Sequence, residues 1–237
     1  MSFEKVSYRS LSDDVHEILK RKILRCELKQ GQRLKDKEIA QALGVSRSLV
    51  RNVLTILEKE GLVRFSRKGV FVAQYTRREI QEIFEVRGLL ESFALESAVE
   101  NISQREIDEI HEQIERARAG LEKGRVEECL DLDMALHRLI IRKSSNSQIE
   151  KIYSTYRSML QIIAFSDRNH MGEIRQAFEE HCRLFEAIER RDLVRSKKVL
   201  RAHLSSAMRS VLRNFPPTLD PKGGEEEVAS DQTAATG

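Results

Sequence analysis

The sequence predicts a mainly α-helical protein, with an N-terminal winged helix-turn-helix followed by an all-α bundle of about six helices. Two observations carry this prediction. Residues 34–61 contain two short helical patterns around a tight turn, and residues 77–214 keep a helical periodicity with no proline before Pro216. The expected division is a first domain over 1–75, a bundle over 76–215 and a disordered tail over 216–237.

The first domain is organised around the turn Leu43-Gly44-Val45-Ser46. Ser46 can cap the helix that follows, and that helix has an apolar stripe at three-to-four-residue spacing. The stripe consists of Val50, Val53, Leu54 and Leu57. Arg47, Ser48 and Arg51 lie on the opposite side near the N-terminus, where a recognition helix reads DNA. An arginine-bearing helix pair also occurs in proteins that bind no DNA.

A short hairpin after these helices favours the DNA-binding interpretation. Two β-type runs, 61–65 and 70–73, flank Ser66-Arg67-Lys68-Gly69, which places two cations and a glycine at the tip. Such a hairpin is typical of a wing that contacts phosphates or the minor groove. Gly69 would let the backbone approach DNA closely.

The charge distribution agrees with this division. The whole chain has a formal net charge of +3, but residues 1–75 carry 16 Lys and Arg against 9 Asp and Glu, whereas residues 76–215 carry 24 of each. The basic excess therefore lies with the helix-turn-helix, as binding to a phosphate backbone requires.

Cysteine usage and hydropathy exclude other classes. Cys26, Cys129 and Cys182 form no CxxC pair, so the pattern favours neither a disulfide framework nor a thiolate zinc site. No signal peptide and no apolar run of about 20 residues is visible, so we expect no membrane role. The expected location is the cytosol.

Four polar side chains fall on apolar stripes of the bundle. Asp133 and His137 are four residues apart, and His181 and His203 each lie between apolar residues of later helices. One inward histidine is ordinarily a satisfied core residue, but three imidazoles near a carboxylate are costly to bury without a common partner. A divalent metal such as Zn²⁺, Ni²⁺ or Mn²⁺ would be that partner.

A fifth polar residue, Arg87, lies on an apolar stripe of the first bundle helix. It could pair with a bound carboxylate or form an internal salt bridge to Glu91 or another acid. The remaining histidines have no comparable polar neighbours, so they are expected at the surface. They are His16, His111 and His170.

Residues 10–75 resemble the winged helix-turn-helix of the GntR family of bacterial transcriptional regulators. The resemblance is specific in Gly31 with Arg33-Leu34, in Gly44-Val45-Ser46-Arg47 with Val50-Arg51, and in Glu60-Gly61-Leu62-Val63. It implies operator contacts from Lys37, Arg47, Arg51 and Gly69, with lesser candidates in Arg33, Lys35, Ser46 and Ser48. The plain alternative for each cation is a solvated surface charge.

Residues 77–213 are similar to the FCD domain, the effector half of one GntR subfamily. The matching segments are DMALHRLIIRKSSNSQI, EEHCRLFEAIERRD and RAHL. The resemblance implies a divalent metal on Asp133, His137, His181 and His203, beside a pocket for a small carboxylate effector that involves Arg87 and Asn146.

The resemblance also implies a location in the bacterial cytoplasm, on the nucleoid when the protein binds DNA. Two functions are consistent with the sequence. The first is a homodimeric regulator, expected to be a repressor, that binds double-stranded operator DNA and responds to a small organic acid. The second is a metal-dependent hydrolase-like enzyme, because a site of three histidines and one aspartate with an open position could activate water. The sequence specifies no general base for an enzyme, and a catalytic role would leave the DNA-binding domain unexplained.

Overall fold

The computed structural model describes residues 10–165 and 171–214. Over these residues the chain forms nine helices and one three-stranded sheet, which confirms the predicted fold class. The first part contains α1 (Leu11–Leu24), β1 (Arg33–Leu34), α2 (Asp36–Leu43), α3 (Arg47–Lys59), β2 (Val63–Ser66) and β3 (Gly69–Val72). The bundle contains α4 (Arg77–Asn101), α5 (Gln104–Glu122), α6 (Glu127–Arg142), α7 (Ser147–Phe165), α8 (Met171–Glu189) and α9 (Leu193–Asn214). The predicted tail over 216–237 and His170 lie outside the described residues.

The helix-turn-helix forms because its turn chemistry and its apolar stripe agree. Gly44 ends α2 in the left-handed region at φ 65°, where a side chain would be strained. The Ser46 hydroxyl then caps α3 by accepting a hydrogen bond from the Leu49 N–H at 3.2 Å. All four predicted stripe residues of α3 are fully buried against α1 and α2. This packing leaves the N-terminal outer side of α3 exposed.

The wing is the hairpin of β2 and β3, and β1 adds a third strand in the order β1-β3-β2. Both pairings are antiparallel, and Arg33 pairs with Phe71. Gly69 begins β3 at φ 129°. A Cβ there would lie 3.0 Å from the Arg33 Nε, so the Arg33 side chain lies against the wing tip. The sheet thereby brings a third cation to the predicted wing.

The bundle is built around α4, which packs against α6, α7, α8 and α9. The predicted capping box at Ser103 and Glu106 is formed, and a second one joins Thr76 to Glu79 at the start of α4. Arg191 donates hydrogen bonds to three carbonyls, those of Val99, Glu100 and Ile102. These bonds secure the C-terminal end of α4 against the α8–α9 turn. Within the described residues, no helix combines the length and the apolar composition needed to cross a bilayer.

The winged helix-turn-helix from α1 to β3, here called the head, contacts the bundle through α7. Glu60, the C-terminal cap of α3, pairs with Lys20 and His16 of α1 at 2.6 and 2.8 Å and accepts a hydrogen bond from the Ser158 hydroxyl at 3.4 Å. His16 is therefore half-buried, and its expected surface position is wrong because the charge of Glu60 lies at this junction. Met159 is packed so closely on Gly61 that a Cβ there would lie 2.5 Å from its Cε.

Candidate functional site

The polar cluster in the bundle joins three helices. Helix α6 supplies Asp133 and His137, α8 supplies His181 and α9 supplies His203. The three imidazoles are buried, and their nitrogens and one Asp133 carboxylate oxygen all lie within 4.8 Å of one another. The four residues that the sequence predicted to share a site are thus brought together.

The donor distances test whether a divalent ion fits this cluster. Donors that each lie about 2.1 Å from one ion are about 3.0 to 3.4 Å apart in octahedral or tetrahedral coordination. The His137 Nε2 is 3.3 Å from both the His181 Nε2 and the His203 Nε2. The Asp133 Oδ1 is 3.0 Å from the His181 Nε2 and 3.4 Å from the His137 Nε2. These spacings, and the mixture of imidazole and carboxylate donors, fit a single divalent metal ion.

Two acids lie against the outer nitrogens of the imidazoles, Glu91 fully buried and Glu180 partly buried. The His137 Nδ1 lies 2.7 Å from a Glu91 carboxylate oxygen, and the His203 Nδ1 lies 3.0 Å from one of Glu180. A carboxylate there selects the tautomer with hydrogen on Nδ1 and turns the Nε2 lone pair toward the cluster. The two Nε2 lone pairs then face one another, and only a cation or a proton between them relieves their repulsion.

The pKa shifts follow from this arrangement. Burial, helped by the nearby His181, lowers the pKa of His203 to about 3, so its imidazole is neutral and able to ligate. Burial also lowers the pKa of His181, although Asp133 opposes that shift. Burial and Arg87 act to lower the pKa of His137, but Glu91 and Asp133 outweigh them and raise it. A proton on His137 is therefore the competitor that a metal ion would displace.

Arg87 completes the buried network. Its Nε donates to Glu91 at 2.7 Å, and its Nη2 lies 3.8 Å from the Asp133 carboxylate. Burial opposes ionisation of Glu91, but the charges of Arg87 and His137 dominate and lower its pKa to about 2. The internal salt bridge considered from the sequence is present. Arg87 nevertheless lines the adjacent cavity.

That cavity has a volume of about 360 Å³ and opens beside the ligand cluster. The four cluster residues line it, as do apolar side chains such as Phe84, Leu160 and Ile163. Its charged wall residues are Arg87, Asp133, Glu173, Glu180, Arg209 and Arg213. Three arginines and three carboxylates therefore cancel in charge before any ion is bound.

Asn146 does not join this cavity. Its side chain is exposed, and its Oδ1 accepts a hydrogen bond from the Gln148 N–H at 3.0 Å, just before α7. The expected effector contact is therefore not supported for Asn146. Its position is explained by helix capping, because an Asn side chain commonly satisfies the first N–H groups of a helix.

The predicted DNA-binding residues lie on the outer side of the head. All but Gly69, which is half-buried at the wing tip, are exposed: Arg33, Lys35, Lys37, Ser46, Arg47, Ser48 and Arg51. On the recognition helix, the side chain of Arg47 is 61% exposed and that of Arg51 is 72% exposed. Both approach the carboxylate of Asp36 at the start of α2.

Three residues of the bundle site were not predicted from the sequence in the roles that the structure gives them. Glu91 was considered only as a partner of Arg87, although its spacing of four from Arg87 also places it on the buried stripe of α4. Glu180 directly precedes His181, yet its carboxylate serves His203 on another helix. Tyr153 donates to Glu91 at 3.5 Å, and nothing in its local pattern indicates that contact.

Comparisons with known proteins divide the chain in the same way as the fold. The family model for bacterial regulatory proteins of the gntR family matches residues 11–72, and the model for the FCD domain matches residues 82–206. The HTH-type transcriptional regulator YdhC of Bacillus subtilis is 26% identical over 191 residues, which cover 79% of this chain and 84% of that protein. The gluconate operon transcriptional repressor of the same organism is 28% identical over 179 residues, with coverage of 73% and 74%. The solved structure of McbR/YncC from E. coli has a TM-score of 0.75 at 22% identity, and the match covers 88% of this chain and all of that one.

The carboxylates behind the imidazoles generate a test of the metal site. Replacing Glu180 by Gln removes the charge that orients His203, and such outer-shell changes weaken metal affinity about 10-fold to 100-fold. Competition between purified protein and a chelating indicator for Zn²⁺ would measure this. Glu189→Gln is the matched control, because Glu189 lies on the same helix and pairs with His111 at 2.8 Å outside the cluster. Equal Zn²⁺ affinity in the two variants would contradict the role of Glu180.

Proposed function

We propose that this chain, which belongs to the GntR family of bacterial transcriptional regulators and carries an FCD domain, is a cytoplasmic repressor that releases its operator on binding a small carboxylate. Membership in this family makes the chain a DNA-binding regulator and not an enzyme. We assign DNA binding to residues 1–75 and effector sensing to residues 76–215. The sensing proposal depends above all on the four converging ligands that open onto the cavity.

The charge of the cavity supports a carboxylate effector. Because its wall charges cancel, a divalent ion held by the cluster would make the cavity electropositive, even after Glu91 behind Arg87 is counted. Asp133 and the three histidines would hold the ion, which would supply an electrophilic point for a carboxylate oxygen. Arg87, Arg209 and Arg213 would attract the rest of the anion.

Helix α7 offers a physical route from the cavity to the head. Tyr153, Leu160 and Ile163 of this helix line the cavity, while Ser158 and Met159 contact the loop at the end of α3. A ligand that shifts α7 would therefore act on the base of the recognition helix. Only a ligand that binds two head positions with different affinity can transmit a signal in this way.

The outer face of α4 supports assembly as a homodimer. Leu89 and Phe93 are one helical turn apart, and they are 73% and 55% exposed. Neighbouring large apolar residues at the surface are typical of an interface, and a dimer would present two heads to a near-palindromic operator. We propose that two copies of the bundle meet on this face.

The recognition-helix arginines provide the test of DNA binding. Arg51→Ala and Arg47→Ala should each cost about 1 to 3 kcal/mol of specific binding, because each removes donors directed at base edges. The measurement is fluorescence anisotropy with a duplex enriched by the purified protein from a randomised library, at fixed salt. Arg105→Ala, at an exposed side chain of α5, removes the same charge as a control. Operator affinity that stays unchanged in both recognition-helix variants would refute this assignment.

Effector sensing is tested with gluconate and sorbitol, two open-chain molecules in which a CH2OH group of sorbitol replaces the carboxylate of gluconate, together with malate and citrate. At least one acid should raise the melting temperature of Zn²⁺-loaded protein by mass action, and sorbitol should not. The same acid should lower operator affinity. An equal rise in chelator-treated protein or in His203→Ala would contradict a metal-assisted site.

Met159→Ala should keep the thermal response but reduce the change in operator affinity, because it loosens the contact between α7 and the head.

The dimer is tested by placing a charge on the proposed face. Leu89→Asp and Phe93→Asp should shift the protein toward monomer in sedimentation equilibrium and weaken operator binding together with it. Leu11→Asp, at an exposed leucine of the head, is the control. A wild-type protein that sediments as a monomer at concentrations where it binds operator would rule the dimer out.

A further inference from the structure

Asp36 lies at the meeting point of the two recognition-helix arginines. Its two carboxylate oxygens are 3.1 and 3.3 Å from the Nη2 of Arg47, and one of them is 3.5 Å from the Nε of Arg51. Asp36 is the first residue of α2, so it belongs to the supporting helix and not to the helix that enters the groove. Its carboxylate is 22% exposed, whereas the arginines extend into solvent.

An acid in this position opposes DNA binding if only net charge is considered. A carboxylate near the phosphates repels them, and an exposed ion pair adds little to the stability of the fold. An acid in the first turn of α2 also suits the positive end of that helix, and the benefit that bears on DNA lies in geometry. A tethered arginine loses less conformational freedom when it meets a base, and its guanidinium plane is held at a fixed angle.

The contacts leave specific donors for DNA. Arg51 approaches Asp36 through its Nε, so both terminal amino groups are directed elsewhere and can form the two parallel bonds that guanine accepts at O6 and N7. Arg47 uses its Nη2 on Asp36 and retains its Nη1 and Nε for a second contact. One carboxylate thus sets the direction of two readers that are one helical turn apart.

We infer that Asp36 is a positioning residue for operator discrimination: it lowers affinity for DNA in general and raises the preference for operators with guanine opposite Arg51. The inference rests on the proposed role of Arg47 and Arg51 in base contact. It assigns to α2 a part in sequence selection in addition to the operator contact expected of its exposed Lys37.

The test compares Asp36→Asn with wild type on two duplexes, the library-enriched operator and a scrambled duplex of the same composition. Loss of the carboxylate should strengthen binding to the scrambled duplex roughly threefold, and the ratio of operator to scrambled affinity should fall roughly tenfold. Asp14→Asn removes an equivalent exposed charge from α1 and should leave the ratio unchanged. Asp36→Glu, which keeps the charge, should restore part of the ratio.

A series of operators with single base-pair changes separates positioning from a general structural effect. Asp36→Asn should lose discrimination at the same base pairs as Arg47→Ala and Arg51→Ala and keep it elsewhere. The inference is overturned if Asp36→Asn loses affinity equally at all base pairs. It is also overturned if Asp36→Asn leaves the ratio of operator to scrambled affinity unchanged while Arg47→Ala and Arg51→Ala lose discrimination, and in either case the proposed DNA contacts of the arginines still stand. If wild type shows no preference between operator and scrambled duplex, both the inference and the proposed DNA contacts fail.

Discussion

The interior of the bundle depends on the fully buried carboxylate of Glu91. Arg87 donates to one of its oxygens and His137 lies against the other, while Tyr153 adds a longer hydrogen bond. Removing one partner of such a buried ionic group leaves an uncompensated charge, which typically costs on the order of 3 to 5 kcal/mol. The positions of α4, α6 and α7 are therefore tied to one another by charge as well as by apolar packing.

The cluster of Asp133, His137, His181 and His203 is likewise held in position by carboxylates that lie outside it. Glu91 and Glu180 fix the outer nitrogens of two imidazoles, and the inner nitrogens converge at distances that suit a shared cation. Rotation of His137 or His203 away from the other would break its contact with the carboxylate behind it, which is fully buried in the case of Glu91. An arrangement of this kind is strained without a cation or a proton and is relieved by either, so its occupancy should follow metal concentration and pH together.

Much of this architecture could be predicted from the sequence, because it depends on local periodicity. The six bundle helices, the capping box at Ser103 and the buried stripe of α3 are all determined within a few turns of chain. The cluster of Asp133, His137, His181 and His203 was also predictable, since polar residues on apolar stripes must meet in the interior. The partners behind it were not predictable. Glu180 lies beside His181 in sequence but contacts His203, and this choice depends on how α8 and α9 pack.

The same limit explains the observed positions of His16 and Asn146. His16 was expected in solvent because α1 alone gives it no partner, yet the end of α3 brings Glu60 within 2.8 Å. Asn146 was expected in the pocket through family resemblance, whereas its local geometry uses the amide to cap α7. In both cases the contact depends on how neighbouring segments pack, which the pattern of a single helix does not specify.

The two candidate sites of the protein share one structural feature, an acid that orients the side chains expected to bind the ligand. In the bundle, acids behind imidazoles turn the lone pairs of His137 and His203 toward a cation. In the head, Asp36 lies behind Arg47 and Arg51 and limits the directions in which they can donate. Asp36 gives up some attraction for DNA, because it neutralises part of the charge that would bind phosphates, whereas Glu91 and Glu180 add to the attraction for a cation. What all three acids supply is a fixed direction, and direction determines which ligand is preferred when many charged molecules compete for the same site.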